Sequence, residues 1–144
     1  TEASLLANQY YAHPRNAFWR IIESIFGIDA NLSYEERYAQ LMHHKVAVWD
    51  VLKTCTRSSS LDSDIDESSI IPNDFRWFFD VHTNIRAVYF NGATSEKIYL
   101  KRVLPELPDA MASMPATRLP STSPANASIN FQRKLELWQV IQGV

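Results

Sequence analysis

The sequence is poor in the residues that build several common sites. It has a single cysteine, Cys55, among 144 residues. One cysteine excludes an intrachain disulfide and a CxxC zinc site. Glycine occurs three times, at Gly27, Gly92 and Gly143. No two of these are spaced for a GxGxxG dinucleotide loop or a GxxxxGKS/T phosphate loop. No apolar run approaches the roughly 20 residues that span a bilayer. The first residues show no basic stretch followed by an apolar one, so no signal peptide is expected, and a cytoplasmic or nucleoid-associated location is. Charge of one sign is scarce too: 14 basic and 16 acidic residues leave a net charge of −2. That argues against a protein held on a polyanion by bulk charge alone. A compact site gripping a few phosphates is still open. Acidic residues crowd Asp62 to Glu67, while Arg15, Arg20, Lys97, Lys101, Arg102, Arg118, Arg133 and Lys134 lie elsewhere.

What is present suffices for one globular domain over 1–144. Hydrophobic residues make up 46% and charged residues 21%, the balance of a chain that folds around a core. Ala17, Phe18, Ile21, Ile22, Ile25 and Phe26 form a one-sided stripe, which predicts a helix over 14–26. Pro14 suits its first turn and Gly27 its stop. Ser33 with Glu36 is a capping box that opens a second helix to about His43. Val46 to Leu52 is a nearly unbroken apolar run, as in a strand buried on both faces. Residues 53–72 read as irregular. Asn73 can cap a helix through Phe79, and Ile85 to Phe90 reads as a strand ending at Asn91-Gly92. A helix is expected over 94–104, a connection over 105–115, a short strand at 116–119, a Pro-Ser loop over 120–128 and a final helix bearing Phe131, Leu135 and Trp138. Strands alternating with helices imply a parallel sheet covered on both faces. Ligands of such sheets sit beyond the C-terminal strand ends. The chain begins almost at its first helix, where a fold of this kind normally opens with a strand. The four tryptophans, Trp19, Trp49, Trp77 and Trp138, are expected in the core.

Several constellations fail. Asp62, Asp64 and Asp66 start like a calcium loop, but the sixth position is Glu67 and the twelfth Asn73, where glycine and glutamate are needed. His43 and His44 are adjacent and point to different faces, so they do not chelate one metal. No GxSxG elbow is present. Cys55 follows a strand end; it could be reactive, but it reads first as a lone buried thiol. Three polar clusters remain at loop or strand-end positions: Gln9 to Asn16, Phe90 to Ala93, and Leu119 to Asn126. They combine aromatic faces, carboxamides and hydroxyls with few carboxylates. That mix suits stacking on a planar base and reading its edge better than acid–base work on a sugar or peptide.

These clusters carry a resemblance. Tyr10-Tyr11-Ala12-His13-Pro14-Arg15-Asn16-Ala17-Phe18-Trp19 resembles the HPxNxFW region of the uracil-DNA glycosylase superfamily, in its hypoxanthine-DNA (deoxyinosine) glycosylase branch. Val48 to Leu52, Cys55 with Arg57, Ser60 to Ser63, Asn73-Asp74, Phe90-Asn91-Gly92-Ala93 and Leu119 to Ala127 fit the same branch in the same order. The resemblance implies a three-layer α/β/α sandwich around a short parallel sheet. It implies a monofunctional hydrolase that releases a deaminated base, hypoxanthine or uracil, from DNA without metal or cofactor. A monomer with no membrane partner is expected. By the resemblance Asn16 is catalytic, Asn91 reads the base and Tyr11 stacks on it; Tyr10 or Phe90 could supply the ring instead. Ser121, Thr122 and Ser123 fall on the loop that grips backbone phosphate. His13, Arg57 and Asp62 are further candidates; His13 could equally make a buried hydrogen bond, and Arg57 with Asp62 a simple loop ion pair. The family's first strand, with its Gly-x-x-Pro loop, is expected to be missing from this chain through truncation at the N-terminus, or to be supplied otherwise.

The residue chemistry is consistent with that expectation and also has plainer readings. Hypoxanthine presents O6 beside N1–H, and uracil O4 beside N3–H. One carboxamide held in a fixed order pairs with either. Adenine presents the reverse order. Asn16 has no ionisable group, so it can hold a water or donate to a departing base but is no strong general base. It is also an ordinary helix-start cap, Asn91-Gly92 an ordinary turn, and Ser121 to Ser123 an ordinary loop. A DNA-binding module without turnover and an unrelated small α/β hydrolase are the alternative readings.

Overall fold

The computed structural model describes residues 3–8, 16–57, 65–124, 126 and 128–143. Its elements run β1 (Ala3–Asn8), α1 (Phe18–Phe26), α2 (Tyr34–His43), β2 (Val46–Asp50), β3 (Leu52–Arg57), β4 (Ile65–Pro72), α3 (Phe75–Val81), β5 (Ile85–Asn91), α4 (Ala93–Ile98), α5 (Asp109–Ala112), β6 (Ala116–Leu119) and α6 (Phe131–Trp138). Four strands form one parallel sheet in the order β2-β1-β5-β6. Strands β3 and β4 form a separate antiparallel pair. Among the described residues no helix is long and apolar enough to cross a membrane.

Alternation along the strands divides the core into two layers. Leu5 faces one side with Val88 and Phe90, packed on Phe75, Phe78 and Phe79 of α3 and on Ile98 and Tyr99. Leu6 faces the other with Val46 and Tyr89, packed on Phe18, Ile21, Ile22 and Ile25 of α1, on Leu41 of α2 and on Trp138 of α6. A register shift near the start of the β1–β5 pair, where Ala3 opposes Ile85 but Ser4 opposes Ala87, adds one residue to β5. That bulge lets Ile85 share a face with Val88 while Ala87 joins Tyr89 on the other.

The structure corrects several expectations. The position of the first strand is not vacant: Ala3–Asn8 fills it, at the centre of the sheet. The segment Ser4-Leu5-Leu6-Ala7 is short and lacks β-branched residues, but Leu5 and Leu6 are both buried, one on each face. Residues 53–72 are not irregular throughout but hold the β3–β4 pair. The apolar run from Val46 breaks at Val51, whose side chain stays in the core while the chain bends into β3. Asn73 braces that bend: its N–H donates to the Val51 carbonyl at 2.9 Å and its Nδ2 to the Asp50 carbonyl at 2.7 Å. The cap of α3 is Asp74, which accepts from the Trp77 N–H at 3.0 Å. The helix after β5 widens into a π-turn at Tyr99–Val103 and tightens at Leu104–Glu106, where Pro105 has no N–H to donate. Trp77 is 55% exposed, not core.

Truncating a side chain of the central strand Ala3–Asn8 costs core energy. We expect Leu6→Ala to lower unfolding free energy by about 2–5 kcal/mol and Met42→Ala, on an exposed site, to change it by about 0.5 kcal/mol or less. Urea denaturation monitored by circular dichroism measures both. Equal small losses would remove β1 from the core.

Candidate active site

The sheet has a switch point between β1 and β5. The crossover after β1 carries α1 and α2 on one face, and the one after β5 carries α4 on the other. Connections that part in this way open a crevice beyond the strand ends. Three segments meet there: the start of α1, the end of β5, and the loop after β6.

The end of β5 is shaped by a close approach. Gly92 has φ +93°, and a Cβ on it would lie 2.9 Å from the Ser121 Cβ. Only glycine gives both the backbone angle and the room. Its N–H donates to the Leu119 carbonyl at 3.0 Å, drawing the two strand ends together. The Ser95 hydroxyl donates to the Asn91 carbonyl at 2.8 Å and anchors the turn from inside α4.

Asn91 and Thr122 form a reciprocal pair. The Thr122 N–H donates to Asn91 Oδ1 at 2.9 Å, and Asn91 Nδ2 donates to Thr122 Oγ1 at 2.9 Å. Both residues are buried, at 8% and 1% exposure. Reversing the amide would set NH₂ against the Thr122 N–H, so the pair fixes which end is donor. One N–H and one lone pair of the carboxamide remain, on opposite sides of it and fixed in place. The Thr122 carbonyl accepts from the Ala17 N–H at 2.9 Å. A single residue thus joins all three segments.

Asn16 lies next to that junction, half-buried. Its Oδ1 accepts from the Phe18 N–H at 2.9 Å and starts α1. Its Nδ2 makes no hydrogen bond among the described residues. The loop after β6 is braced from below: Trp138 Nε1 donates to the Pro120 carbonyl at 2.8 Å, and Asn126 Nδ2 to the Ser121 carbonyl at 3.2 Å. The Ser123 N–H donates to Ser121 Oγ at 3.1 Å.

Of the residues singled out from sequence, the structure brings together Asn16, Asn91, Ser121, Thr122 and Ser123. Arg57 ends β3, in the separate antiparallel pair, which also carries Cys55. Tyr10, Tyr11, His13 and Asp62 lie outside the described residues, and Phe90, the other stacking candidate, is sealed in the core at 1% exposure and offers no face to a base. Sequence reasoning placed Thr122 against phosphate and missed its part in holding Asn91. Asp50, which the sequence puts at a strand's C-terminal end and offers with Asp62 as the alternative carboxylate, closes β2. Asp50 is exposed at the surface, yet the packing around its carboxyl raises its pKa to about 6. Tyr38 is pushed up to about 12 by burial and by the nearby Asp50 charge. Among the described residues no group of three or more His, Cys, Asp or Glu could hold a metal.

No protein-family model matches the chain. It is 30% identical to a hypoxanthine DNA glycosylase of Methanosarcina acetivorans over 144 residues, covering 98% of this chain and 84% of the relative. It is 37% identical to one of Methanosarcina barkeri over 95 residues, covering 65% of this chain and 59% of that relative. A solution NMR structure of a protein from M. acetivorans, provisionally assigned as a uracil DNA glycosylase, superposes with a TM-score of 0.74 at 26% identity. That match covers 98% of this chain and 89% of the other. With this fold, and with these carboxamides and hydroxyls gathered at the ends of its strands, the chain belongs to the hypoxanthine-DNA glycosylase branch of the uracil-DNA glycosylase superfamily.

Proposed function

We propose that this protein is a monofunctional DNA glycosylase that hydrolyses the N-glycosidic bond of a flipped deaminated base, hypoxanthine before uracil, and leaves an abasic site. The observation that carries the reading is the fixed Asn91 carboxamide at the switch point. An enzyme that works on a base must take it out of the stack. Inside the pocket, the free Asn91 N–H meets O6 of hypoxanthine or O4 of uracil. Adenine sets donor against donor, and an unmet buried polar group costs about 1–3 kcal/mol. Tyr11 stacks on the base, a contact worth roughly 1–3 kcal/mol.

Bond cleavage leaves positive charge on the sugar and negative charge on the departing base. Donors aimed at that base stabilise it. The Asn16 Nδ2 group is such a donor, since only its carbonyl is used in starting α1. The same amide can hold the attacking water. Ser121 and Ser123 hydroxyls grip the backbone beside the flipped nucleotide. Asp50 is read as structural, and the enzyme works as a monomer.

Base release from a labelled 2′-deoxyinosine duplex, read as alkali-labile strand cleavage, tests the assignment. Wild type should cleave, and Asn16→Ala should slow cleavage about 100-fold. Binding of the duplex without release would favour the module that lacks turnover. A second outcome concerns Asp50. An acid with a raised folded pKa adds stability below its unfolded value, and that stability is lost as pH rises through about 6. Asp50→Asn should therefore match wild type in melting temperature at pH 3 and exceed it at pH 8. Its rate–pH profile should stay that of wild type. A limb near pH 6 that disappears in Asp50→Asn would make the carboxylate catalytic instead.

A further inference from the structure

Two cations converge where α1 packs on α6. Arg20 is in the first turn of α1, and its guanidinium carbon lies 4.8 Å from the centre of the Phe131 ring. Phe131 is the first residue of α6. Lys134, one turn on, is only 6% exposed. Helical side chains lean toward their own N-terminus, so the Lys134 ammonium is directed to the end of α6 where Arg20 sits. Burial and the neighbouring Arg20 charge hold its pKa below the usual lysine range. The N-terminus of α6 adds partial positive charge of its own.

No acid among the described residues answers these charges. Among the described residues neither Arg20 nor Lys134 makes an ion pair or a side-chain hydrogen bond. Glu136 is turned to Arg133 at 3.0 Å. Glu23, next along α1, is exposed and pairs with neither. A lysine whose stem is covered and whose charge is unpaired, beside the exposed Arg20 cation, is an unfavourable arrangement in the free protein. An anion at this point would relieve both.

We propose that Arg20, Lys134 and the N-terminus of α6 form a seat for a phosphodiester of the DNA backbone, beyond the Ser121–Ser123 loop. A planar fork, a rotatable ammonium and helix N–H groups together suit an anion with several acceptor oxygens. The seat adjoins the proposed pocket. Trp138 ties α6 to the carbonyl of Pro120, and Ala17, three residues before Arg20, donates to Thr122. The inference rests on the glycosylase reading for its choice of DNA as the source of the phosphate.

The test uses a duplex with a tetrahydrofuran abasic-site analogue, which contains no cleavable base, so binding is read whether or not the protein turns over. Affinity is measured over a range of salt for wild type, Lys134→Met, Arg20→Gln and Lys45→Asn. Lys45 matches the charge change at the opposite end of the sheet. The log–log slope of affinity on salt should fall by about one for Lys134→Met and for Arg20→Gln and stay unchanged for Lys45→Asn. Lys134→Met should also melt no lower than wild type without DNA. Unchanged slopes in both seat variants would overturn the proposal, as would chemical-shift changes at Lys134 with inorganic phosphate alone and no loss of DNA affinity in Lys134→Met. No wild-type affinity for the abasic duplex would contradict the proposal and the DNA reading together. Absence of base release from deoxyinosine with the slopes falling as expected would sink only the catalytic reading.

Discussion

The site depends on one reciprocal hydrogen-bond pair, between the Asn91 carboxamide and Thr122. Two short bonds in a buried place do three things at once. They order the donor and acceptor of Asn91, hold the loop after β6 against the end of β5, and through the Thr122 carbonyl fasten the start of α1. Each bond is worth only about 1 kcal/mol net to stability. Their larger effect is geometric, because a carboxamide free to turn over would present either its donor or its acceptor to the base.

The sheet makes that pair possible. Strand β1 lies between β2 and β5, and the crossovers on its two sides leave opposite faces free above the switch point. Gly92 lets the β5 end approach Ser121 closely. Trp138, buried against Phe18 in the layer that holds α1, supports the loop at Pro120. The aromatic and aliphatic core therefore reaches the site through one side chain and one glycine.

Much of the fold was legible because long-period patterns carry it. The α1 stripe and the Ser33 cap of α2 match the structure, with Ser33 Oγ accepting from Glu36 N–H at 3.2 Å. Strand β1 was not, since two leucines among small residues give no period to read. The β3–β4 pair was hidden by serines and aspartates, which mark turns by composition but do not forbid a ladder. Asn91 and Asn16 stood out through the motifs around them. What pins Asn91 could not be read, because Thr122 lies 31 residues away and its threonine looks like any loop hydroxyl. Lys134 had a faint signal: it shares a helix face with Phe131 and Trp138, so a burial pattern ran through a charge.

The central claim is that Asn91, with its Oδ1 held by the Thr122 N–H, offers the base an N–H donor. The most direct measurement is the ratio of hypoxanthine to adenine release from otherwise identical duplexes, in wild type and in Asn91→Asp. Aspartate keeps the shape and the acceptor that meets the Thr122 N–H but replaces the Nδ2 donor with a second acceptor. The account predicts that the ratio falls about 10-fold, as one amide contact worth about 1–2 kcal/mol is lost, while the fold persists. An unchanged ratio would contradict it and would place base selection elsewhere in the pocket.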